Sequence, residues 1–302
     1  TWPIHRQPRT EPRRGKDDEL VVSFAELKNP TTMMGALGRV LAAAKVFDGD
    51  WERHLRSWGG DAASKAECER ARQSWQQEEA AFERGIGCLT SDSDLASSFR
   101  AANEVFDRIG AEKGISAWRL FQLVFIVIQL AALRARVIDD EDLRAELDVC
   151  DVLWFATGGG KTEAYLGLIV VALFYDRYRG KRRGASALLR YPLRMLSVQQ
   201  LQRLLVAVAA AEDLRLEMLG GGESLPGDPF ALGYWAGFGN SPNKLSSDFD
   251  DGETTIEWWQ RELSANPDAA NERRIVTGCP RTECHGDLEL LAVVVELAPV
   301  VG

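Results

Sequence analysis

The sequence predicts an α/β fold, and three observations carry that prediction. Residues 151 to 178 pass from a short apolar run through three glycines into a long apolar helical pattern. From Trp118 onward, helix, strand and loop patterns alternate, as they do in an α/β sheet. Before that point, residues 25 to 110 are rich in Ala, Glu, Arg and Gln, with apolar residues at helical spacing.

Taken in order, residues 1–24 form a flexible basic arm that carries Arg6, Arg9, Arg13, Arg14 and Lys16. Residues 25–115 form a helical region in which Trp75, Phe82 and Ile86, then Phe99, Val105, Phe106 and Ile109, mark inward faces. Gly85, Gly87 and the SDSD at 91 to 94 predict a break between two of these helices, with Asp94 as its N-cap. Residues 116–278 form the α/β part. Its strand candidates are DVLWFAT (151 to 157), ALLRY (187 to 191) and FALGYWAGF (230 to 238), and a long amphipathic helix follows the second of them. The DDED at 139 to 142 reads as a solvated helix start, and GGGESLPGD before the third strand reads as a loop.

The glycine turn has the chemistry of a phosphate grip. Gly158, Gly159 and Gly160 tolerate positive φ, and without a Cβ their N–H groups can close around phosphate oxygens. The helix start that follows adds unpaired N–H groups and a partial positive charge. ATP and Mg²⁺ are the expected ligands, held by Thr157 to Glu163. Lys161 is placed to reach the β and γ phosphates and the Thr162 hydroxyl to hold Mg²⁺, and these two are the catalytic candidates. The pattern G-x-x-x-x-G-K-[ST] wants glycine at 155, where this chain has Phe155; the looser x-x-x-G-x-G-K-T fits Gly158, Gly160, Lys161 and Thr162.

Composition narrows the function classes. The 302 residues carry 36 Lys and Arg against 45 Asp and Glu, a net charge of -9. That balance argues against affinity for nucleic acid over the whole surface and leaves local patches open. The dense run Arg177, Arg179, Lys181, Arg182 and Arg183 is either solvated surface or a nucleic-acid-facing patch. The 5 cysteines do not suggest a disulfide scaffold. LFQLVFIVIQLAAL at 120 to 133 is too short for a membrane span and includes two glutamines, so a cytoplasmic protein is expected. The chain starts with Thr1 rather than Met and ends in an apolar run, which suggests a piece of a longer protein.

The loop together with YPLRMLSVQQ (191 to 200) resembles the first two motifs of superfamily 2 helicases, the second of which runs P-x-R-x-L-x-x-Q and finds Pro192, Arg194, Leu196 and Gln199 here. The resemblance implies an incomplete RecA-like P-loop NTPase domain with a parallel sheet, motor domain 1, over residues 116–278. It also implies that Arg194 and Gln199 touch a nucleic-acid backbone, a task suited to a guanidinium fork; a local carboxylate is the other partner open to Arg194. Gly237 and Gly239 in GYWAGFGN match the glycine segment that follows in such helicases. WRLFQLVFIVIQL resembles their R-x-x-Q motif, in which a glutamine reads adenine: Gln122, with Gln129 as the alternative, or else a structural glutamine.

With CPRTEC added, these segments resemble the DISARM antiphage helicases and helicase-related proteins from about Glu69 onward. That resemblance implies a DNA translocase that works with other defence-system proteins, binds single-stranded DNA or a duplex junction and has no membrane partner. Cys279 and Cys284 have the spacing of half a zinc knuckle in residues 279–302, or else are two reduced thiols. No acidic pair follows the loop at the end of a later strand, so the residues given are expected to bind nucleotide without turning it over. A nucleotide-binding regulatory or scaffold module is the competing reading.

Overall fold

The structure, a computed structural model, describes residues 20–154, 160–191 and 194–233, together with Thr255, Arg261, Ala265, Asn266, Val276, Cys279 and Pro280. It is helical throughout its regular parts: α1 (Phe24–Lys28), α2 (Met33–Arg56), α3 (Ala62–Ser91), α4 (Ser93–Ala111), α5 (Leu120–Ile128), α6 (Leu130–Ala135), a 3₁₀ helix (Glu141–Asp148), α7 (Lys161–Tyr178) and α8 (Arg194–Gly220). The chain divides into two compact units, Thr1–Leu188 with Ala210–Pro229, and Leu189–Ala209 with Phe230–Gly302.

This corrects the predicted fold class. Among the described residues there is no strand, and hence no parallel sheet and no RecA-like domain; Ser23 and Ala117 form an isolated antiparallel bridge. The described parts of the first two strand candidates pair with no neighbour among the described residues. Residues 151–154 and 187–191 carry no regular structure, and Val152, Trp154 and Leu188 are 74%, 93% and 95% exposed. An apolar run favours extended backbone, but a sheet needs a second run to take its N–H and C=O groups. Residues 155–157, most of the third candidate and residues 1–19 of the basic arm lie outside the described residues.

The helices follow from local chemistry. Ser23 opens α1 with a capping box, its hydroxyl accepting from the Glu26 N–H at 3.2 Å while the Glu26 carboxylate accepts from the Ser23 N–H at 3.0 Å. α2 and α3 pack on each other, and the buried positions Ala36, Leu37 and Val40 of α2 and Phe82 and Leu89 of α3 fall near one end of the pair. Farther out the pair is held by polar and aromatic contacts. Arg72 grips the Asp48 carboxylate with two bonds of 2.8 Å, and Phe47 meets the rings of Trp51 and Trp75 edge-on.

α4 and α7 form the centre of the first unit. α7 is buried on several faces, from Ala164 to Arg177, because it lies against both α4 and α5. Trp118 closes one side: its indole N–H donates to Asn103 Oδ1 at 2.8 Å, and its rings meet Phe24 and Phe106. In the same C-terminal half of α4, Arg108 grips both Glu217 carboxylate oxygens at 2.8 Å and fixes the C-terminal part of α8.

The break between α3 and α4 falls at Asp92, not at Asp94. Asp92 Oδ1 accepts from the Leu95 N–H at 3.0 Å, so Asp92 is the N-cap. Its other oxygen accepts from the Tyr175 hydroxyl of α7 at 2.7 Å and lies 3.7 Å from Arg134 Nε of α6. Burial, reinforced by the carboxylate, pushes the Tyr175 hydroxyl up, so it stays protonated and donating.

Asp92→Ala removes a cap, worth roughly 1 kcal/mol, and strands a buried hydroxyl, at about 1–3 kcal/mol. Urea unfolding is expected to show a loss of about 3 kcal/mol for Asp92→Ala. Asp92→Asn, which still caps, is expected to lose less than half of that.

Candidate site at the start of α7

The glycine turn reaches the described residues at Gly160, the N-cap of α7, with φ +86°. A Cβ there would be strained by the backbone and would also meet Gln122 Nε2 at 2.9 Å. The positive φ favours glycine, and a Cβ would displace the Gln122 amide from its place.

Gln122 is the group that defines this place. Its Nε2 donates to the Gly160 carbonyl at 2.7 Å, across 38 residues of chain. Its Oε1 accepts from the Arg119 N–H at 2.9 Å and so closes a capping arrangement at the start of α5. The buried glutamine therefore ties the N-terminus of α5 to the N-terminus of α7. An amide has two donors and two acceptor lone pairs, and these bonds use one of each. Gln129, the alternative from the sequence, is committed elsewhere: its Nε2 donates to Asp151 Oδ2 at 2.6 Å.

Lys161, Thr162 and Glu163 form the first turn of α7 and are half-buried. The helix N-terminus offers them N–H groups without intrahelical acceptors and a positive dipole end. Tyr165, one turn on, donates its hydroxyl to Thr162 Oγ1 at 3.0 Å. The i, i+3 spacing was visible in the sequence, but no reading of the phosphate loop asked for it. One lone pair of Thr162 Oγ1 is thus taken, and the second remains for a cation. Lys161, Thr162 and Glu163 with Gln122 and Gly160 are the described residues that could hold an anionic ligand and its cation.

Of the other predicted site residues, Thr157, Gly158 and Gly159 lie outside the described residues, as do Gly237, Gly239 and Cys284. Arg194 and Gln199 belong to α8 by backbone, and their side chains lie outside the described part. Cys279 is a free, half-buried thiol. Among the described residues no three His, Cys, Asp or Glu side chains gather as a metal site, and no helix is long and apolar enough to cross a membrane.

No protein-family model matches the chain. It is similar to a protein named DISARM protein DrmA from Bacillus paralicheniformis, with 39% identity over 136 residues, 42% of this chain. The match spans 11% of the length of that protein. It supports kinship with DISARM proteins.

Gln122→Ala removes the tie between α5 and α7. The expected outcome is a loss of about 1–3 kcal/mol in urea unfolding, from the buried groups left unpaired.

Proposed function

We propose that the chain is part of an ATP-dependent DNA helicase or translocase of a bacterial antiphage defence system, acting beside other proteins of that system. The observation that supports it most is the bond from Gln122 to Gly160. A glutamine picked out by its resemblance to an adenine-reading motif stands at the last glycine of a phosphate-loop pattern. The similarity to DISARM protein DrmA supports the defence role.

In this reading the N–H groups of Gly158, Gly159 and Gly160 surround phosphate oxygens, and Lys161 neutralises the terminal phosphates. Thr162 holds Mg²⁺ with its hydroxyl oriented by Tyr165. Glu163 sits in the first helical turn, where a carboxylate is favoured. Gln122 has a free donor and a free lone pair for a base edge while it holds the turn. ATP bound there supplies the free energy for movement along a strand. Arg194, Gln199, Gly237 and Gly239 contact the strand backbone, and Cys279 with Cys284 contributes half of a zinc site.

Two measurements on the full-length protein test this. Lys161→Ala is expected to weaken ATP binding in titration calorimetry by about 2 kcal/mol, the value of a charge-assisted contact; equal affinities would remove the nucleotide assignment. Arg194→Ala is expected to lower single-stranded DNA affinity equally for unrelated sequences, and to reduce DNA-stimulated ATPase while nucleotide affinity is kept. Loss of ATP binding with DNA binding intact would put Arg194 in the nucleotide pocket.

A further inference from the structure

Five of the seven residues from Arg177 to Arg183 are basic, and the structure sorts them into inward and outward sets. Arg177 is buried, 7% exposed, and donates to the Lys181 carbonyl and the Asp228 carbonyl, each at 2.6 Å. Lys181 is spent on the buried Asp176 carboxylate and the Ala185 carbonyl, both at 2.7 Å. Arg179 pairs with Asp94 at 3.3 Å. These three cations are structural.

The buried guanidinium pins two loops together. The Asp228 N–H donates to the Arg182 carbonyl at 3.1 Å, and Gly227, at φ +133°, lets the loops meet, since a Cβ would stand 2.7 Å from the Arg182 oxygen. Arg215, in a buried pair with Glu212, holds the same loop farther back through the Leu225 carbonyl at 3.1 Å. The two loops border an open pocket of about 490 Å³ lined by Arg182, Arg183, Gly227 and Asp228. Arg183 is 82% exposed and pairs with Asp228 at 3.1 Å. The Arg182 side chain is exposed, and among the described residues it has no partner.

A fixed backbone thus presents two adjacent guanidinium groups to solvent, one unpaired and one in an exposed ion pair that contributes little to stability. Such a pair can be exchanged for a better anion at little cost. The planar fork of arginine matches phosphate oxygens, and adjacent forks match successive phosphates better than one small anion. On a chain of net charge -9, the patch also directs a polyanion to one place.

We propose that Arg182 and Arg183 form a second docking point for the nucleic-acid backbone, binding phosphodiester oxygens on the strand that the protein moves along. This inference rests on the translocase reading above, and the test separates the two.

The experiment uses the full-length protein with Arg182→Ala and Arg183→Ala combined. Binding of two single-stranded DNA oligonucleotides of unrelated sequence is followed by fluorescence anisotropy across a salt series. ATP binding is followed by calorimetry. The expected result is a five- to tenfold loss of DNA affinity at low salt, equal for both oligonucleotides. The log–log salt slope should flatten by about one to two units, as each lost phosphate contact predicts, with ATP affinity unchanged. Changing both residues to Lys should restore part of the affinity and of the salt slope, because it keeps the charge and loses the fork. If the wild type binds DNA and the alanine pair binds it equally well, this inference is overturned and the translocase reading stands. If the alanine pair loses ATP and keeps DNA, the pocket serves the nucleotide and the inference is again overturned. If inorganic phosphate displaces DNA better than chloride at equal ionic strength, and only from the wild type, the pocket is a free-anion site. If the wild type binds neither oligonucleotide, the translocase reading falls and takes this inference with it.

Discussion

Much of the first unit depends on one buried carboxylate. Asp92 is 6% exposed, and a charge so placed is tolerated only when it is fully engaged. It caps α4, takes the Tyr175 hydroxyl of α7 and lies beside Arg134 of α6, which also binds Asp140 at 2.7 Å. Three helices and the lead-in to the 3₁₀ helix therefore share a single anchor. Apolar packing between α4 and α7 supplies attraction without direction. The carboxylate fixes their angle and register, because its bonds hold only in one arrangement.

That anchor sits at the C-terminal part of α7, and its consequence is felt at the other end. A helix rises about 1.5 Å per residue and is stiff over that length. With Tyr175 held, the start of α7 is placed by the same constraint. Gln122 can then bridge α5 to Gly160 with a short bond, since α5 already lies against α7. The candidate site is thus set on rigid helices, with a loop only at its phosphate end.

What was legible in the sequence follows from the range of each interaction. Helical spacing depends on neighbours a few residues apart, and Phe82, Phe99, Val105 and Phe106 are buried as that spacing predicts. The sheet was misread because pairing is a long-range property that an apolar run does not encode. Val152 and Leu188 have strand-like surroundings in sequence and no pairing partner among the described residues. The cap at Asp92 was missed by two residues, since four residues in SDSD have capping side chains and only packing against Tyr175 chooses among them. Gln122 was singled out by its resemblance to a motif. Its double duty as helix cap and tie to Gly160 needed coordinates.

The basic run after α7 shows why charge counts say little about roles. Lys181 and Arg182 are neighbours of equal charge, yet the first is bound to the nearly buried Asp176 and the second is directed to water. Between them the chain is held by Arg177, which takes the Lys181 carbonyl just after the turn at Gly180. Its burial and the neighbouring Arg215 lower its pKa, a cost offset by the two backbone carbonyls it satisfies. An internal arginine is retained here because it spans two loops at once, which a shorter or more flexible cation does less well. The outward pair is thereby carried on fixed backbone, which gives up less entropy on meeting a ligand than a mobile tail does.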